Sequence, residues 1–162
     1  MTIGRTIAPC LWFDDQAEDA ARFYISVFPN SGISLVTRYG EAGHEFHGKP
    51  PGSVMTVAFD LDGQPFTALN GGPVFRFNEA ISLQVICDTQ SEIDHYWQRL
   101  CEGGDERAQQ CGWLKDRFGV SWQIVPALLP ALLANSHKSQ QVMRAVLQMK
   151  KPDIDALRRA AA

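Results

Sequence analysis

The chain contains a long internal echo, and that echo limits its fold more than any composition figure does. Pro9 to Phe28, PCLWFDDQAEDAARFYISVF, returns between Ser82 and Cys101 as SLQVICDTQSEIDHYWQRLC. At a shift of 73 residues Phe13 falls on Ile86, Asp15 on Asp88, Asp19 on Glu92, Ala20 on Ile93, Phe23-Tyr24 on Tyr96-Trp97 and Val27 on Leu100. Each copy reads as a strand, an Asp and a helix. The closing segments also match, Asp60–Phe66 (DLDGQPF) against Asp116–Trp122 (DRFGVSW), at a smaller shift of 56, so the second half has a shorter middle. Either pair alone fits ordinary βα patterning; both in the same order point to duplication. Two copies are too few for a solenoid, whose repeats bury their faces only by stacking in longer arrays.

A chain of 162 residues is enough for one domain, 1–162, built of two small modules that share a core. We place the first βαβββ module at 5–72, the second at 78–126 and a C-terminal helical extension at 127–162. No apolar run is long enough to cross a bilayer, and Met1–Cys10 carries Arg5 without an apolar core segment, so neither a membrane nor export is expected. The expected compartment is the cytoplasm, where Cys10, Cys87, Cys101 and Cys111, with no C-x-x-C spacing, stay reduced. A net charge of −3 gives no reason to expect a nucleic-acid partner. The charge is uneven: from His137 onward six Lys and Arg oppose two Asp, making the tail about +4 and the remainder about −7.

In order, period-2 alternation predicts a strand over Ile7–Phe13, with Ile7, Leu11 and Phe13 on one face and Cys10 and Trp12 on the other. Pro9 has no N–H to donate, so this strand lies at an edge or leaves that ladder position unpaired. Asp14 or Asp15, with Glu18 beyond, is the expected cap of a helix that turns Ala17, Ala20, Ala21, Tyr24 and Phe28 inward, and Asp88 the equivalent cap in the second copy. Pro29-Asn30-Ser31-Gly32 ends that helix. Strands follow at Ile33–Tyr39, Ser53–Leu61 and Gln64–Asn70, the last two joined by Asp62-Gly63. Gly40–Gly52 is a polar loop holding His44 and His47. The second half predicts strand Ala80–Cys87, helix Ser91–Cys101, short strands around Ala108 and at Trp113–Lys115, and strand Ser121–Val125. Three helices close the chain: Pro126–Ala134, an amphipathic one over Lys138–Lys150, and Asp153–Arg159.

The residues Leu11-Trp12-Phe13-Asp14, Val27-Phe28-Pro29-Asn30-Ser31, Pro51-Gly52-Ser53-Val54, Thr67-Ala68-Leu69-Asn70-Gly71-Gly72, Phe77-Asn78-Glu79-Ala80-Ile81-Ser82 and Cys111-Gly112-Trp113-Leu114-Lys115-Asp116, with Gly119-Val120-Ser121-Trp122-Gln123, carry a resemblance over nearly the whole chain. The sequence resembles the vicinal oxygen chelate superfamily, and within it the PhnB-like branch labelled as a 3-demethylubiquinone-9 3-methyltransferase domain. The resemblance implies an α+β fold in which two βαβββ modules form a curved mixed sheet, the glyoxalase/bleomycin resistance/dioxygenase fold, here with C-terminal helices added. It also implies a homodimer.

Metal-dependent members of that superfamily take ligands from the first and last strands of each module. Carried over by the two shifts, those positions are Pro9, Thr67, Ser82 and Gln123. They lack the imidazole and carboxylate donors such a site needs, so a divalent metal is not favoured. The methyltransferase label finds no support in a Gly-rich strand-to-helix turn: Gly71-Gly72 leads into a connector and Gly103-Gly104 follows a helix. The expectation is therefore a protein binding a small, planar or apolar molecule in a trough between the modules. Its lining would be Trp12, Phe66 or Thr67, Asn70, Ser82, Gln84, Trp113 and Gln123. Whether it is an enzyme stays open. Two alternatives stand beside this: a metal-dependent lyase or dioxygenase drawing on His44 or His47, and a non-catalytic interaction protein acting through its basic C-terminal helices.

Overall fold

The computed structural model describes residues 7–162 and resolves them into two compact units that divide between Arg76 and Phe77. The first unit runs β1 (Cys10–Phe13), α1 (Ala17–Val27), β2 (Gly32–Arg38), α2 (His44–His47), β3 (Val54–Leu61) and β4 (Gln64–Asn70). Its sheet has the order β1-β4-β3-β2, with β1 parallel to β4 and the other pairs antiparallel. Asp62 and Gly63 both take positive φ, the geometry of the tight turn that folds β4 back on β3. Alternation then turns Val57, Phe59, Phe66 and Ala68 toward α1, which answers with Ala17, Ala20, Ala21, Tyr24 and Val27, all buried.

β1 does lie at an edge, and Pro9 there contributes only its carbonyl, which accepts from the Thr67 N–H at 2.9 Å. The strand is shorter than alternation suggested. Pairing begins at Cys10 opposite Thr67, so Ile7 precedes the ladder and is 83% exposed. Neither Asp14 nor Asp15 caps α1. The N-cap is Gln16 and makes no side-chain cap; instead Asn70 Oδ1, reaching from β4, accepts the Ala17 N–H at 2.8 Å.

The second unit runs β5 (Leu83–Cys87), α3 (Gln90–Cys101), a 3-10 turn (Glu106–Ala108), β6 (Trp113–Lys115), β7 (Ser121–Pro126), α4 (Leu129–Ala134), α5 (Ser139–Leu147) and α6 (Ile154–Ala160). Its sheet order is β5-β7-β6, with β5 parallel to β7. This is the first unit's topology with one strand reduced. Where a strand was expected around Ala108, the shortened middle leaves the 3-10 turn and a single bridge between Gln110 and Trp113. Thr89, not Asp88, caps α3, and it does so in a full capping box with Glu92.

The duplication also proves to have two registers. A shift of 73 superposes the buried helix positions, Ala20 on Ile93 and Val27 on Leu100. The parallel strands need 74: Leu11 opposite Ala68 corresponds to Val85 opposite Ile124, and Phe13 opposite Asn70 to Cys87 opposite Pro126. The connection from strand to helix is one residue shorter in the second unit, Asp88-Thr89 in place of Asp14-Asp15-Gln16. Because side chains alternate along a strand, that one residue changes which ones face the helix.

The extension is fastened to the second unit along two lines. A turn at Cys111 (φ 54) and Gly112 (φ 84) offers its N–H groups to Met149 O and Lys150 O, both at 2.8 Å. Only glycine fits at 112, since a Cβ would stand 2.6 Å from the Ile124 carbonyl oxygen. On the other line Gln90 grips the start of α6, donating to Pro152 O at 3.0 Å and accepting from the Ile154 N–H at 2.9 Å. Val142, Ile154 and Leu157 are buried as a result.

Candidate functional site

The sequence-predicted site residues separate by sheet face. In the first unit Phe66 and Asn70 lie on the face turned toward α1, 7% and 6% exposed. Phe66 stacks on Phe59 at 5.5 Å, and Asn70 spends its amide on Ala17 N and Val54 O. Both are core residues of this unit, because even-numbered positions of β4 point at the helix. Thr67 and Trp12 lie on the opposite face. The Trp12 indole rests against Gly71, where a Cβ would come within 2.2 Å of the ring, donates to Gly72 O at 2.8 Å, and meets Phe75 edge-on at 4.9 Å. It pins the segment leaving β4.

In the second unit the four predicted residues share one face. Gln84 and Gln123 are direct neighbours across the β5–β7 ladder, and Trp113 of β6 pairs with Gln123 from the other side. Gln123 Nε2 donates to Ser82 Oγ at 2.7 Å. Burial of Val85, Leu114, Trp122 and Ile124 turns the alternate residues of all three strands to this face.

Gln84, Gln123 and Val125 also line a cavity of about 270 Å3, whose further lining includes Leu133 and Met149 of the extension and Cys111 of the anchoring turn. Sequence reasoning missed those last three. The apolar stripe of α5 signalled that the extension packs on something, but not which strands it meets. Cys111 is a free thiol in a half-buried position.

His47 accepts the Lys49 N–H at Nδ1 (2.9 Å), and its Nε2 lies 3.2 Å from Ala42 O, the geometry of an N–H donor. Tilted against the Tyr39 ring at 4.5 Å, the imidazole has no lone pair to offer a metal in this arrangement. Among the described residues no cluster of three or more His, Cys, Asp or Glu has metal-site geometry. At the superfamily's ligand positions the donors are no better: Ser82 and Gln123 hydrogen-bond to each other, Thr67 offers a neutral hydroxyl, and Pro9 offers no side-chain donor. Under the strand register of 74, Leu83 replaces Ser82 as the counterpart of Pro9 and adds nothing. These residues do not fit a divalent metal. The glycine pairs do not cradle a cofactor either. Gly71 makes room for Trp12, and a Cβ on Gly104 would strike Lys115 O at 2.1 Å.

The basic tail is partly spoken for within its own unit. Lys138 Nζ donates to the carbonyl oxygens of Ala161 and Ala162, Lys151 pairs with Asp94 at 2.6 Å, and Arg158 with Asp155 at 3.5 Å.

The two related βα units, each with its first strand parallel to its last, define the glyoxalase/bleomycin resistance fold of the vicinal oxygen chelate superfamily. Residues 5–125 match the model of the 3-demethylubiquinone-9 3-methyltransferase family, and the chain belongs to that family, the PhnB-like branch. It is similar to a PhnB protein from Bacillus cereus, named for the same methyltransferase, with 34% identity and a TM-score of 0.64 over 76% of this chain and 100% of that one. Two more distant structures share the fold. Protein PA1353 from Pseudomonas aeruginosa is 18% identical, with a TM-score of 0.58 over 76% of this chain and 98% of its own. The fosfomycin resistance protein FosX from Listeria monocytogenes, crystallised with Mn(II) and sulfate, is 13% identical, with a TM-score of 0.51 over 81% and 99%. No curated protein matches.

Proposed function

We propose that the protein binds a small planar or apolar molecule on the strand faces turned away from α1 and α3, holding it by neutral hydrogen bonds and not through a metal. One observation carries the reading: the hydrogen-bonded Gln123–Ser82 pair, with Gln84 and Trp113 beside it, on one face of the second unit's sheet. Amides and a hydroxyl orient a ligand without requiring it to be charged, and an indole supplies a flat wall. Trp12 and Thr67 give the first unit a sparser version of the same surface. The family's methyltransferase label is not extended to this chain, because its glycine turns are occupied by packing. No reaction is assigned. The reading takes the protein as cytoplasmic, with Cys111 kept as a thiol.

A thermal-shift series with nickel, zinc, manganese and ferrous iron, run beside elemental analysis of the purified protein, tests the metal half of this reading. Stoichiometric metal or stabilisation by several degrees would overturn it, since a bound ion must raise the melting temperature. The binding half is tested by tryptophan fluorescence against a set of neutral aromatic compounds. A response that Gln123→Ala abolishes supports it; no response from the set overturns it.

A homodimer accords with the apolar surface left on the units: Leu35 and Ile86 are each 60% exposed, and Met143 and Leu147 of α5 are partly so. Sedimentation equilibrium at micromolar concentration should return twice the 18.0 kDa chain mass.

A further inference from the structure

We infer that the C-terminal extension converts the strand face of the second unit into a half-open pocket for a neutral molecule, one aromatic ring or an aliphatic chain of similar bulk, bearing one hydrogen-bonding group. This rests on the reading of Gln84 and Gln123 as binding residues and names what they bind. The family match ends at residue 125, so the helices that wall this cavity lie outside it.

Three features set the ligand class. The cavity holds about 270 Å3, nearly twice the roughly 150 Å3 of an apolar cavity known to accept benzene. None of its lining side chains is Asp, Glu, Lys, Arg or His, and the apolar ones predominate, so an ionised ligand would lose its hydration with nothing in return. Gln84 and Gln123 are the two amides in that lining, adjacent across the ladder, and Gln123 directs its Nε2 to Ser82, leaving its carbonyl side toward other donors. A hydroxyl, amide or carbonyl on the ligand can pair there while the remainder lies against Leu133, Val146 and Met149. The wall is held by main-chain bonds from Cys111 and Gly112 and by the Gln90 clamp, which makes it a standing part of the unit.

The full-length protein would be titrated with benzyl alcohol, using benzoate and benzylammonium as charged controls of the same size. Two readouts apply: NMR shifts of the Met149 methyl and the Gln84 and Gln123 side-chain amides, and the alkylation rate of Cys111 by N-ethylmaleimide, resolved by peptide mass spectrometry with exposed Cys10 as internal standard. Benzyl alcohol should move the Met149 signal and slow labelling of Cys111 about tenfold at roughly ten times its Kd, since only the empty form exposes that wall. The charged controls should do neither. Leu133→Trp should abolish both effects; if it does not fold, Val146→Met, which adds less volume, should weaken them. Charged controls binding as well as benzyl alcohol would overturn the inference. Shifts at Trp113 and Ser82 without any at Met149 would overturn it while leaving the broader binding role in place, and silence from both sets would overturn both.

Discussion

At the residue scale, the buried polar groups explain most of what holds each unit in register. Asn70 is the first unit's clearest case, since one amide satisfies both the opening N–H of α1 and the Val54 carbonyl. Asn70→Ala leaves both unpaired in a buried place and should cost about 2 kcal/mol in urea unfolding. In the second unit that duty passes to Asp116. It accepts from the N–H groups of Phe118 and Val120 at 2.8 and 3.1 Å, and from Trp122 Nε1 at 2.8 Å. The first unit has Phe66 where Trp122 stands, with no indole N–H to satisfy, and its Asp60 is correspondingly less buried. Two thiols give a pH prediction. Burial, with lesser help from Glu92 and Asp88, pushes Cys87 up to about 11, and burial with Glu106 does the same for Cys101. The unfolded thiols ionise near 9.0 while the folded ones remain protonated, so their contribution is complete below pH 9 and is lost as pH rises toward 11. The urea midpoint should therefore fall across that interval, and Cys87→Ser and Cys101→Ser together should flatten the fall.

At the element scale, the two helices of the duplication begin in different ways although their sequences echo each other. α3 carries its own start signal in the Thr89–Glu92 box, whereas α1 borrows one from β4. Thr89→Ala should cost about 1 kcal/mol, and Asp15→Ala close to nothing, both measurable by thermal unfolding. The Glu92 carboxylate is held below the usual range by the N–H groups of Thr89 and Asp88, so the box contributes above the ordinary carboxylate range and fades as pH falls through it. A sequence reading that expects a local cap finds Asp14 and Asp15 because they are the local polar residues; the true partner is more than fifty positions away.

At the scale of the whole molecule, the extension is the part that departs from the family pattern, and its attachment is testable apart from any ligand. Ending the chain after Pro152 removes Ile154 and Leu157 from the core of the second unit and leaves Gln90 without its α6 partner. The loss should be roughly 3–6 kcal/mol, from two buried aliphatic side chains, and calorimetry should show a lower melting temperature. A truncated chain that melts unchanged would show that α6 packs too weakly to wall a cavity.

The sequence by itself determined the repeated pattern and the type and order of nearly every element, because periodicity and turn chemistry are local and both copies repeat them; the superfamily was legible as a resemblance carried by particular motifs. It also grouped Ser82, Gln84, Trp113 and Gln123, since alternation on paired strands is enough to put them on one face. Three things were left to the tertiary structure. A single residue lost between β5 and α3 makes the strand shift 74 while the helix shift stays 73, and the sequence carries no local mark of where the offset changes. Phe66 and Asn70 went to the core because the face of β4 that meets α1 is fixed by packing, not by the types of residue on it. The cavity, finally, exists only once the Cys111–Gly112 turn bonds to the chain near residue 150, a contact between distant main-chain groups that leaves no periodic trace in the sequence.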